Sequence, residues 1–187
     1  MKTVSKKQAI SAKKISFSAL FCALCCVGTI VIAIPLPNGY FNVGDVFVLL
    51  AGWCLGPVYG AISAALGSAL ADVISGWTLY APATFVIKGV EALLAYFVCY
   101  FWKKCLKNDK LDIVARIISA VGGGLCMVLG YFFYESILYG FGGAAASLVG
   151  NFTQAACCVT CACILIAALY PVKGVKKLFP YLSISIH

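Results

Sequence analysis

The sequence predicts an all-α integral membrane protein, a bundle of six transmembrane helices with both termini in the cytoplasm. Three observations carry that prediction. The first is composition. Of 187 residues, 63% are hydrophobic and only 11% are charged, with a mean hydropathy of +1.02; soluble domains carry about 25% charged residues. The second is the length of the apolar runs, several of which reach the roughly 20 residues a helix needs to cross a bilayer core of about 30 Å. The third is the placement of charge. Lys2, Lys6, Lys7, Lys13 and Lys14 precede the first run; Lys103, Lys104, Lys107, Lys110 and Arg116 lie between the fourth and fifth; Lys173, Lys176 and Lys177 follow the sixth. The connections after the first, third and fifth runs hold no Lys or Arg. Thirteen of the 14 basic residues therefore fall on one side, which the positive-inside rule makes cytoplasmic. A net charge of +8 confined to such clusters is a topology signal and gives no reason to expect a nucleic-acid partner.

The elements follow in order. A basic cytoplasmic segment, 1–14, leads into a first span over 15–34. That run is too long for the apolar region of a signal peptide and lacks a clear cleavage site. The stretch "PLPNGYFNVGD" reads as a loop. A short second helix covers 45–55 and ends at Gly56–Pro57, a chain breaker. The third span, 58–75, is dense in small residues (Gly60, Ala64, Gly67, Ser68, Ala71) that let neighbouring backbones approach closely. "GWTLY" is a loop, and the fourth span is 81–102. The aqueous loop 103–112 precedes a fifth span over 113–139. "GFGG" is a turn, and the sixth span, 144–170, ends in a basic tail, 171–187. The whole chain, 1–187, reads as one membrane domain.

The informative residues are the polar ones inside these spans. Lys88 lies roughly 10 Å below the outer edge of the fourth helix, and Glu91 is one turn deeper. Thr84, Lys88 and Glu91 share one helical face. An unpaired charge at that depth costs on the order of 3 kcal/mol on insertion scales, so such residues face the bundle interior and find partners. Glu135 lies near the outer end of the fifth span with Tyr131 and Tyr139 on its face. Asn151 and Gln154 share a face of the sixth span with Ser147. Asp72 is near the outer end of the third, and Asp45 opens the second. Five helices thus place a polar group in the outer half, as a pocket open to the outside would. The outer loops are aromatic, with Tyr40, Phe41, Trp77 and Tyr80. Each position also has a plain structural reading: a helix-start acid for Asp45, an internal ion pair for Lys88 and Glu91, interhelical hydrogen bonds for Asn151 and Gln154, an interfacial aromatic belt for the loops. Their clustering at one end favours the pocket.

Eleven cysteines include the spacings Cys22–Cys25 and Cys158–Cys161, but they sit in apolar runs and the one histidine is His187. They read as small apolar fillers, and no metal, cofactor or catalytic group is expected. No ATP-binding G-x-x-x-x-G-K-[ST], H-E-x-x-H or G-x-S-x-G motif occurs. If the protein moves a solute, a partner or an ion gradient must drive it.

The stretch from Asn42 to Tyr96, with "GD" opening the second helix, then "LGPVYG", "LADVISG" and "YAPATFVIKGVE", resembles the substrate-binding S components of energy-coupling factor (ECF) vitamin transporters, in the riboflavin/pyrimidine-type branch. The resemblance covers essentially the whole chain, although its specific motifs lie in the middle third. It implies a protein that binds a B-vitamin or precursor from outside and releases it inside. It also implies partners: a transmembrane T subunit and two cytoplasmic ATPases, in the plasma membrane, in bacteria. Ala19 and Ala23 match the family's A-x-x-x-A motif on the first helix, which docks the T subunit. The expected ligand contacts are Lys88, Glu135, Asn151, Gln154, Asp72, Asp45, Trp77, Tyr80 and Tyr40, with Glu91, Thr84 and Tyr131 in support. Such a pocket suits a pyridine, pyrimidine or flavin. The competing readings are a stand-alone ion-coupled carrier using Lys88 and Glu91 as a proton relay, and, less well supported, an intramembrane enzyme.

Overall fold

The computed structural model describes residues 2–36, 38–106 and 112–183. Lys107, Lys110 and His187 lie outside the described residues. Among the described residues, four helices are long and apolar enough to cross a membrane: α1 (Lys2–Val31), α2 (Gly44–Ile74), α3 (Ala81–Leu106) and α4 (Asp112–Leu169). A short α5 (Lys173–Leu178) and a 3-10 turn (Pro180–Ser183) follow.

At 58 residues, a straight α4 would measure roughly 87 Å, almost three bilayer cores. It is bent at Gly140, whose φ of 73° and ψ of 172° are not helical. Gly56 does the same in α2, with φ 80° and ψ −171°, and Pro57 follows it. That conformation is open almost only to glycine, and proline is tolerated at the first position of the helix that follows. The break expected at Gly56–Pro57 is therefore present. The turn expected over "GFGG" is shorter: one glycine at positive φ redirects the chain, so helix resumes at Phe141 instead of residue 144.

The loop expected at 35–45 is also more ordered. Strands β1 (Ile34–Leu36) and β2 (Gly39–Phe41) pair antiparallel, Ile34 opposite Phe41 and Pro35 opposite Tyr40. The Asn38–Gly39 dipeptide, where the chain turns back into β2, is a hairpin-turn signal. The described residues, otherwise mostly helical, thus carry one small hairpin, and α1 ends at Val31 because Ile34 belongs to a strand.

Helix α2 packs against α1 and α3, and α3 packs against α4. The small residues expected to allow close approach do so: a Cβ on Gly67 would lie 2.3 Å from the Cys22 carbonyl oxygen of α1. Trp53 anchors the core and donates its indole N–H to the Ala95 carbonyl at 3.2 Å and the Ser119 hydroxyl at 3.1 Å. Outward-facing Phe133, Ile137 and Val149 are largely exposed, an apolar surface suited to lipid and too extensive for water.

At the far end from the hairpin lies Arg116, counted in the sequence among the cytoplasmic basic residues. It is buried. Its Nε donates to Asp112 Oδ2 at 2.8 Å and its Nη2 to the Leu182 carbonyl at 3.1 Å. Its guanidinium lies over Trp53 and Tyr170, 5.6 and 5.4 Å from the ring centroids. Lys103 also pairs with Asp112. The C-terminal turn completes this end: Leu182 is fully buried, and Phe179 packs edge-on against Phe17 and Phe21.

Candidate functional site

At the hairpin end, four elements converge on one polar cavity. The hairpin is its cover. Tyr80 Oη donates to the Asn38 carbonyl at 2.9 Å, and Asn38 Nδ2 donates to the Gly143 carbonyl at 2.7 Å, just past the α4 bend. Tyr40 Oη donates to Asp72 Oδ1 at 2.6 Å. Burial, and then the bond to Asp72, pushes the Tyr40 hydroxyl above the ordinary tyrosine range, so it remains a neutral donor. Tyr40 and Tyr80 flank Trp77, with centroids 5.9 and 5.8 Å away, an aromatic wall of the kind that holds flat ligands.

The floor is a chain of hydrogen bonds. Asn42 turns the chain into α2 by accepting the Gly44 N–H on its own Oδ1 at 2.9 Å. Its backbone N–H donates to Gln154 Oε1 at 2.9 Å. Gln154 Nε2 donates in turn to Asp45 Oδ2 at 2.8 Å. Asp45 pairs with Lys88, and Lys88 also donates to Glu91 Oε2 at 3.1 Å. Lys88, Asp45 and Glu91 are all buried. This network joins α2, α3 and α4 beneath the cavity. On the side, Thr84 Oγ1 and Tyr131 Oη lie 2.9 Å apart.

The cavity as it stands is small, about 40 Å³, room for a few water molecules. The sequence-named Tyr40, Asp72, Trp77, Tyr80, Thr84, Tyr131, Glu135, Asn151 and Gln154 line it. Lys88 and Asp45, expected at the ligand, do not: they are spent on each other, with Glu91, one layer below. Asn38 and Asn42 line the cavity and were missed. Their signal was the pair of asparagines bracketing the aromatics in "NGYFN".

The lining is left partly unbonded. Asp72 Oδ2, Glu135 Oε2 and Asn151 Nδ2 are buried and reach no partner in good hydrogen-bond geometry; Thr84 approaches Asp72, and Ser147 and Tyr80 approach Glu135, only loosely. Each such atom costs roughly 1–3 kcal/mol, so three around one cavity point to a ligand that completes them. Ala19 and Ala23 are both exposed on α1. Among the described residues, no group of three or more His, Cys, Asp or Glu could hold a metal ion.

Residues 9–171 match the model of the family described as ECF-type riboflavin transporter, S component. The chain is 38% identical over 131 residues to an uncharacterized protein in the gap 3′ region of Pyrococcus woesei, covering 69% of this chain and 82% of that one. It is 27% identical over 145 residues to the thiamine precursor transporter HmpT of Lactococcus lactis subsp. cremoris (strain MG1363), covering 76% of this chain and 78% of the relative.

Proposed function

We propose a function from one premise: the chain belongs to the family of ECF-type riboflavin transporter S components. It is accordingly a multi-pass membrane subunit for uptake of a vitamin or vitamin precursor, and not an enzyme. Beyond that, our reading is that residues 1–187 form one six-helix domain, the bends at Gly56 and Gly140 dividing α2 and α4. Both termini lie in the cytoplasm of a bacterium, and the cavity opens to the outside. It captures a small heteroaromatic B-vitamin or precursor of pyridine, pyrimidine or flavin type. Asp72, Glu135, Asn151 and Gln154 contact the ligand, and Tyr40, Trp77 and Tyr80 cover it. Thr84 and Tyr131 shape the wall, while Lys88, Asp45 and Glu91 hold Gln154 in place.

The observation that carries this reading is the set of buried, unbonded polar atoms facing one aromatic-walled cavity. Release inward is driven by a T subunit, docked on Ala19 and Ala23, with two cytoplasmic ATPases. Calorimetry of the purified protein against B-vitamins and their precursors tests the binding: one or more bind tightly, and failure of every one with folded protein overturns the reading. Co-purification with the T subunit, lost on Ala19→Leu with Ala23→Leu, tests the partnership. Uptake by the chain alone in proteoliposomes under an ion gradient would replace it with a stand-alone carrier.

A further inference from the structure

Four of the chain's six acidic residues gather at the cavity end: Asp72 and Glu135 in the lining, Asp45 and Glu91 beneath it. Against them stands one cation, Lys88, and both of its bonds go to the lower pair. Among the described residues, no lysine or arginine lines the cavity. Of the two lining carboxylates, Asp72 has one oxygen bonded by Tyr40 and the other unbonded, and Glu135 Oε2 is unbonded. The unbonded donor is Asn151 Nδ2.

We propose that this cavity selects by charge: it takes a neutral or cationic heteroaromatic ligand and excludes relatives that carry a carboxylate or phosphate. The ligand donates hydrogen bonds to Asp72 and Glu135 through amino, ring N–H or hydroxyl groups, and accepts one from Asn151 through a ring nitrogen or carbonyl. A carboxylate is an acceptor only, so burying two in a lining without a cation asks the ligand for donors or positive charge. An anionic ligand would meet like charge at short range, an arrangement that suppresses wrong partners. Lys88 cannot answer a ligand's negative charge without leaving Asp45 and Glu91 bare. The proposal rests on the uptake reading and adds the class of substrate to it.

The test uses the purified full chain and matched pairs of ligands: nicotinamide and nicotinate, riboflavin and its 5′-phosphate, thiamine and its monophosphate, an aminopyrimidine alcohol and the corresponding carboxylate. Calorimetry is expected to show at least one uncharged or cationic member binding, and its anionic partner binding at least about 100-fold more weakly. Asp72→Asn and Glu135→Gln keep the shape and remove the charge, so each should narrow that gap at least about tenfold. A purely steric exclusion of the added group would not respond to them. An anionic member that binds as tightly as its partner, or a gap that neither variant narrows, overturns the charge rule and leaves the uptake reading standing. Should the variants fail to fold, the near-isosteric nicotinamide and nicotinate and the pyrimidine pair still decide on the wild-type chain. If no member of any pair binds, the uptake reading fails and the charge rule with it.

Discussion

The two ends of this bundle bury charge in opposite ways. At the tail end, Arg116 is bonded to Asp112 and to the Leu182 carbonyl and is sandwiched by Trp53 and Tyr170. Lys103 gives Asp112 a second partner. At the cavity end, Asp72, Glu135 and Asn151 keep polar atoms unbonded. A buried charge that only holds a fold is matched on every side, because an unmatched one is costly. Unmatched groups clustered at a cavity are therefore a signature of recognition, tolerated because a ligand completes them. The cavity floor lies between these extremes: Lys88, Asp45 and Gln154 bond one another, while Glu91 keeps Oε1 unbonded.

Substitutions can break this contrast. The largest effect is expected at Lys88. Lys88→Met leaves Asp45 and Glu91 buried without their cation, and thermal unfolding should show a loss of about 3–5 kcal/mol, with any loss of binding following from the damaged floor. Next comes Arg116→Gln, which removes two charge-assisted bonds but leaves Asp112 its Lys103. A loss of about 2–3 kcal/mol is expected, with calorimetric affinity for the ligand unchanged. Tyr40→Phe, which deletes the donor to Asp72 Oδ1, should cost about 1 kcal/mol in the same unfolding experiment and weaken ligand binding modestly. The smallest effect on the chain itself is expected for Ala19→Leu with Ala23→Leu. These exposed positions should leave stability within about 0.5 kcal/mol while abolishing pull-down of the T subunit.

Much of this arrangement was legible in the sequence, for identifiable reasons. The lengths of the apolar runs marked the membrane-spanning helices, four of which stand among the described residues. Gly56–Pro57 marked a break because no other pair both permits positive φ and lacks an amide N–H. The depth of Glu135, Asn151 and Asp72 in apolar runs pointed to the cavity, because burying a polar group is costly wherever its partner lies. Which partner satisfies it could not be read. Lys88 meets Asp45 across 43 residues, and Gln154 meets Asn42 across 112, and such pairings depend on helix packing that local pattern does not encode. For the same reason Arg116 read as one more cytoplasmic charge, when its surroundings are supplied by Trp53, Tyr170 and the C-terminal turn. The hairpin was hidden because each strand is three residues long, too short for alternation to register.

The most direct test of the contrast requires no ligand. Thermal unfolding of the Asp72→Asn, Glu135→Gln double variant should be compared with that of Arg116→Gln and the wild type in the same detergent. If the unbonded cavity carboxylates serve recognition, neutralising both leaves the midpoint unchanged or raises it, while Arg116→Gln falls by several degrees. A double variant that falls as far as Arg116→Gln would show that those carboxylates hold the bundle together, and would contradict the account.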